Sequence, residues 1–204
     1  RRAMRAWGEP LDALSGENME TIARILSAEL NGALKQSGNA AEWYAEDIQK
    51  MFSVLSLDGG TYTELRDDPE KRFAFSVALA ITSVSTRPTP NMRNALTVYD
   101  SYKETGVFPE DMGFGKTGRT MRRQFRAMNQ LVRELGMDQT MRFFNTKFTK
   151  AQLMKMGLPG AKLGGVTVKS SVYGSYFLGP KLGSFFQNLT GNFDTVTMDK
   201  WFMR

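Results

Sequence analysis

The sequence predicts an all-α protein. Three observations predict it: apolar residues recur at helical spacing in nearly every segment, alternating strand patterns are nearly absent, and capping or turn residues separate the periodic stretches. No internal repeat or low-complexity segment interrupts the pattern. At 204 residues and 41% hydrophobic content the chain can bury a substantial core, as one domain or two closely packed lobes.

The elements follow in order. After Pro10, Ser15 caps a helix with Met19, Ile22, Leu26 and Leu30 on one face. Asn39 and Glu42 form a capping-box variant for a second helix, with Trp43, Tyr44, Ile48, Met51, Phe52 and Leu55 inward. Asp58-Gly59-Gly60 turns the chain, and Asp68-Pro69 opens a helix over about 70–83. Its nearly continuous apolar run (Phe73, Phe75, Val77 to Ile81) predicts burial on most sides. Thr89 and Pro90 start the next helix, carrying Met92, Leu96, Tyr99 and Tyr102. The connection over 106–118 contains Gly113-Phe114-Gly115-Lys116-Thr117, which lacks the spacing and preceding strand of a phosphate loop and reads as plain loop. A basic amphipathic helix follows, with Met121, Phe125, Met128, Leu131, Val132 and Leu135 inward, Arg119, Arg122, Arg123, Arg126 and Arg133 elsewhere, and Gly136 to end it. Short helical pieces at about 138–147 and 149–156 lead to Leu158-Pro159-Gly160.

Composition narrows the chemistry. With no cysteine there is no disulfide, thiol nucleophile, cysteine-held zinc or iron–sulfur cluster. With no histidine, proton transfer falls to Asp, Glu, Lys, Tyr and Ser, and neither a metal nor a cofactor is expected. No apolar run reaches the roughly eighteen residues of a membrane span, and Arg1-Arg2-Ala3-Met4 does not begin a signal peptide. A soluble, non-secreted protein in the cytoplasm or associated with the nucleoid is the expectation. The start without methionine and the abrupt end at Arg204 suggest a trimmed piece. Charge is split: residues 1–100 hold 11 basic and 14 acidic side chains, net −3, whereas residues 101–204 hold 16 and 7, net +9. A field that one-sided suits a polyanion such as DNA, each neutralised phosphate releasing counterions. A basic surface with no partner is the plainer alternative.

The most informative stretch is Val172-Tyr173-Gly174-Ser175-Tyr176-Phe177-Leu178-Gly179-Pro180-Lys181-Leu182-Gly183-Ser184-Phe185-Phe186, followed after Gly191 by Thr195-Val196-Thr197-Met198-Asp199. It reads as helix, tight hairpin, helix, short loop and the capped start of a further helix. Gly179 allows close approach to a phosphate, and the next helix N-terminus offers unpaired amides to an anion.

This stretch resembles the helix-hairpin-helix DNA glycosylases of the endonuclease III and 8-oxoguanine glycosylase type. That family has a Leu-Pro-Gly-Val-Gly-type hairpin, a lysine starting the second helix, and an aspartate eighteen or nineteen residues later. Here Leu178-Gly179-Pro180-Lys181 stands at the hairpin, Gly183 follows, and Asp199 lies eighteen positions after Lys181. Residues 78–86, leading into the helix after Pro90, look like the family's first long core helix and the polar loop near the flipped base. The hairpin has one glycine and a proline where the family has Gly-x-Gly, and residues 1–68 have no evident counterpart. The resemblance implies an N-terminal helical segment (1–68) beside a glycosylase-like domain (69–204), the two forming one compact unit. It implies Lys181 and Asp199 as catalytic residues, and DNA contacts from Gly179, Pro180, Gly183 and Arg204; the basic helix adds Arg122, Arg123 and Arg126 as candidate phosphate contacts, with a solvated face as the alternative. The resemblance places Thr82, Ser83 and Ser85 near the base, and Tyr173 and Tyr176 are nearby aromatic candidates for the pocket, with core packing as the alternative.

The chemistry has its own logic. Glycosidic cleavage builds positive charge on the sugar, which a fixed carboxylate such as Asp199 stabilises where water is excluded. An amine can instead attack the sugar carbon and form a Schiff base when it is unprotonated, which would be the role of Lys181. The base must first leave the stack, which calls for a basic face beside aromatic side chains. The plainer roles are a phosphate-contacting lysine and a helix-capping aspartate near Thr197. Two other functions fit the same residues: a phage-type base-hypermodification enzyme transferring a group onto an activated thymine derivative, and a non-enzymatic DNA-binding module.

Overall fold

Asp68 sets the start of the central element. In the computed structural model, which describes residues 55, 62–86, 88–111, 113, 118–164, 166–167, 169–195 and 197, its carboxylate accepts from the Glu70 and Lys71 amides at 2.9 and 3.1 Å. Pro69, whose missing N–H costs nothing in a first turn, follows as the first helical residue. All described residues fall within one compact unit, Ile48–Thr197. The helices expected from Ser15 and Asn39 lie outside the described residues apart from Leu55, as do residues 114–117 of the glycine-containing loop.

Seven α-helices are present among the described residues: α1 (Glu64–Asp67), α2 (Pro69–Thr82), α3 (Pro88–Thr105), α4 (Gly118–Leu135), α5 (Met137–Phe144), α6 (Lys150–Lys155) and α7 (Pro180–Leu189). The protein is predominantly helical. Every α2 residue from Phe73 to Thr82 is buried, as its apolar run predicts, so neighbours surround this helix on all sides. Ala95, Val98, Tyr99 and Tyr102 of α3, Met121, Phe125 and Met128 of α4, Phe144 of α5 and Phe186 of α7 complete the core with α2. Phe73, Phe144 and Phe186 meet edge to face with centroids 5.1–5.4 Å apart, the arrangement their ring quadrupoles favour. No helix among the described residues is long and apolar enough to cross a membrane.

A polar network fastens α1 to α3. Tyr99 donates to Glu64 Oε1 at 3.0 Å, Tyr62 to Asp100 at 3.0 Å and Tyr102 to Glu70 at 3.1 Å, while Lys103 pairs with Glu64 at 2.8 Å. Burial and the adjoining carboxylates keep all three tyrosines protonated as donors, Tyr62 being pushed up to about 12. Burial alone would raise the Glu64 carboxyl, but hydrogen bonds from Lys103 and Tyr99 outweigh it and hold Glu64 below its ordinary value. A lowered folded value stabilises the fold above the ordinary glutamate range, and the contribution disappears as pH falls through the lowered value. Acid titration of thermal stability should therefore show a loss on that limb that Glu64→Gln largely removes; an unchanged titration curve would leave the network without energetic weight.

Between α5 and α7 the chain departs from a purely helical pattern. Strands β1 (Lys147–Thr149) and β2 (Ser171–Tyr173) pair antiparallel, with Phe148 opposite Val172. They frame α6, whose capping box joins Thr149 and Gln152 reciprocally, and a 3-10 turn at Gly160–Leu163. Leu153, Leu158, Leu163, Val166 and Val172 form a second, smaller core here, and the partly buried Phe143 and Phe177 pack against both this core and the main one.

Candidate nucleic-acid interface

The hairpin forms, but not from two α-helices. The expected first helix is strand β2 followed by a 3-10 turn, Gly174–Leu178. The reason is local: Val172 and Tyr173 are strand formers with a partner strand available. A side chain at Gly174 would collide with the Phe143 carbonyl, so the backbones touch and leave no room for a wider helix. Gly179 follows at φ 97°, ψ 163°, a conformation that strains any L side chain, and its amide bonds to the Tyr176 carbonyl at 2.7 Å. The space where a side chain would project from Gly179 is open, so the outer surface of the turn is accessible to a phosphate.

The turn is held from beneath. Gln124 of α4 donates to the Leu178 carbonyl at 2.9 Å. Ser175 donates to the Gly183 carbonyl at 3.0 Å, and Gln187 donates to Ser175 Oγ at 3.1 Å and to the Phe144 carbonyl at 2.8 Å. Tyr176 and Ser184 join through their hydroxyls at 3.1 Å. Gly183 is buried because the backbone of Ser175 passes directly over it. Its expected role as a DNA contact thus becomes one of packing.

Pro180 is exposed as the first residue of α7, and Lys181, half-buried, is the second. Asp199 and Arg204 lie outside the described residues. The chain leading to them is anchored up to Thr197, whose hydroxyl donates to Asn188 Oδ1 at 2.6 Å. Asn188 also donates to the Asn192 and Thr195 carbonyls at 3.1 and 2.9 Å. Asn188 is seven residues after Lys181, so the two share one stripe of α7, about 10 Å apart along its axis at 1.5 Å per residue.

The residues expected around a base fall into two separately bonded groups. Thr82 is buried and donates to the Ala78 carbonyl at 2.8 Å, with Asn91 Oδ1 at 2.7 Å, which makes it part of the α2–α3 contact. Ser83 donates to Ala80 at 2.7 Å, and Ser85 is exposed at φ 55°. Tyr173 donates to Asp194 at 3.0 Å, and Tyr176 meets Ser184.

The α4 arginines are partly engaged. Arg122 binds Asp111 at 2.7 Å and Arg126 binds Glu110 at 2.9 Å, both exposed pairs, while Arg123 is exposed. Exposed pairs contribute only about 0–1 kcal/mol, so a phosphate competes with them. Removing the competition with Glu110→Gln plus Asp111→Asn should tighten DNA binding severalfold and steepen its salt dependence. Equal or weaker binding by that variant would exclude Arg122 and Arg126 from the interface.

Sequence reasoning overlooked Lys147 and Asp194. Their side chains pair at 2.9 Å, the Lys147 ammonium lies 4.9 Å from the Tyr173 ring centroid, and the same Asp194 oxygen accepts from Tyr173. Hydrogen bonds from Lys147 and Tyr173 hold the Asp194 carboxyl below its usual value. The sequence marks Asp194 only as the first carboxylate after Asp138; its pairing with Lys147 is set by the fold. No protein-family model, curated protein or solved structure matches the chain.

Proposed function

We propose that the protein is a DNA-binding enzyme acting on a flipped-out base, on a helix-hairpin-helix glycosylase-type fold, with cleavage of the N-glycosidic bond as its reaction. The observation that supports this reading most is that the chain after α7 turns back onto that helix at Asn188. Thr197, two residues before Asp199, is bound to the same stripe of the helix that begins with Lys181. The turn in front of Lys181 is braced by α4 and open outward.

In this reading the turn at Gly179 and the first amides of α7 hold a phosphate beside the target nucleotide. Asp199 stabilises the positive charge that develops on the sugar as the C1′–N bond breaks and its electron pair leaves with the base. The Lys181 amine forms the new bond to C1′, and loss of a proton with opening of the sugar ring gives the Schiff base. Borohydride trapping on duplexes carrying different damaged or modified bases tests the reading. A covalent adduct with at least one of them is expected. Release of no base from any duplex, with no adduct, overturns it.

The strand and 3-10 turn preceding the hairpin favour one second reading, a base-modifying transferase on the same fold, because they depart from the repair-type motif. Transfer of a group onto DNA without base release would distinguish it.

A further inference from the structure

Residues 139–193 contain seven Lys or Arg side chains and no Asp or Glu. Five of the seven, Lys147, Lys150, Lys155, Lys162 and Lys169, fall within the module formed by β1, α6 and β2. Lys147 is paired with Asp194, whereas Lys155 and Lys169 are exposed. The α4 arginines differ, since Arg122 and Arg126 already hold carboxylates from their own loop.

The strand register shows how the module arranges its charge. Thr149 stands opposite Ser171, so Lys150, just after β1, and Lys169, just before β2, flank the same end of the ladder. Lys150 donates to the Val166 carbonyl at 3.2 Å, and Thr167 and Ser170 join at 2.6 Å, fixing the loop that carries Lys169. At the other end of α6 stands Met154-Lys155-Met156. Both methionines are large apolar side chains left open to solvent, 50% and 58% exposed, and Gly157 at φ 90° reverses the chain directly behind them. Leu153 is the buried residue of α6 and anchors the helix on the small core.

We infer that the β1–α6–β2 module is a second DNA-docking surface, in which Lys155 and Lys169 contact backbone phosphates while Met154 and Met156 lie against sugar and base edges of a groove. The inference rests on the proposed action on DNA and adds where the duplex is held beyond the hairpin. Charge complementarity selects the partner: the 55 residues of 139–193 hold no carboxylate, and Asp194, which binds β1 and β2, is paired with Lys147, so Lys155 and Lys169 are left to meet a phosphate backbone. Flexible apolar side chains flanked by cations suit a groove, where apolar wedges press on base steps while lysines reach the phosphates on either side. A six-residue helix offers too little apolar face to lie stably in a membrane surface.

The test is the salt dependence of duplex affinity, measured by fluorescence anisotropy on the full chain. Each lost phosphate contact lowers the slope of log K against log salt by about 0.9, so Lys155→Gln plus Lys169→Gln should lower it by about 1.8 and weaken binding roughly ten- to hundredfold at 0.1 M salt. Each single variant should show half the change in slope, and Met154→Ser plus Met156→Ser should weaken binding with no change in slope. Circular dichroism confirms that each variant folds. An unchanged slope in the double lysine variant, with the parent protein binding DNA, overturns the docking surface and leaves the proposed function standing. A changed slope in a protein that neither releases a base nor forms an adduct keeps the surface and removes the proposed chemistry. Binding to anionic phospholipid vesicles but not to DNA overturns both.

Discussion

Gly183→Ala should destabilise the fold by about 1–3 kcal/mol, the usual cost of forcing an extra carbon into packed surroundings. The expected sign is what makes this informative. Inside a helix, alanine is preferred over glycine by about 1 kcal/mol, so on propensity alone the variant should be more stable. Here the added carbon would lie 2.6 Å from the Ser175 carbonyl oxygen and 2.7 Å from the Ser175 carbonyl carbon and the Tyr176 nitrogen. All three are backbone atoms, and Ser175 is fixed through Gly183 and Gln187. The 3-10 turn must move away from α7, taking the Gly179 bend with it. Thermal denaturation should show a midpoint lower by several degrees, with helical content at low temperature retained. A raised midpoint would mean that the turn and the helix do not approach so closely.

Asp199→Asn is expected to slow base release by roughly 10²–10³, the usual consequence of removing one preorganised electrostatic stabiliser of a transition state. Lys181→Gln should abolish borohydride trapping while leaving DNA affinity within a fewfold of the parent, because one amine among many cations is lost but the only nucleophile of the mechanism is gone. The pair of variants separates chemistry from binding. Single-turnover assays on a duplex that the parent protein cleaves would read both. Full activity in both variants assigns the reaction to other residues and leaves the hairpin as a phosphate-binding element alone.

Periodicity was a reliable guide wherever burial is one-sided or complete. The apolar run of α2, the stripe of α4 and the glycine that ends α4 all stand where spacing and capping chemistry put them. The short helix expected at about 149–156 is α6, but periodicity failed at β1 and over 171–178, because three-residue strands carry too few alternations to register and because Gly174 approaches a partner distant in sequence. Helix α3 starts at Pro88, two residues before the expected Pro90, a difference within the fraying of a first turn. Among the site residues, Gly179, Pro180 and Lys181 stand at the turn that their order suggested. Thr82 was legible only as a polar residue ending an apolar helix; that its hydroxyl is taken up by Asn91 depends on how α3 packs, which no local pattern encodes. The Lys147–Asp194 pair spans 47 residues and depended on tertiary folding in the same way.

Phe143 and Phe177, both partly buried, pack against both hydrophobic cores and so join them. Phe177 is two residues before Gly179, on the 3-10 turn that ends at the hairpin. Close-packed interiors transmit displacement because they are barely compressible. A force applied to the β1–α6–β2 module therefore bears on the 3-10 turn before the hairpin through the two rings that touch both cores.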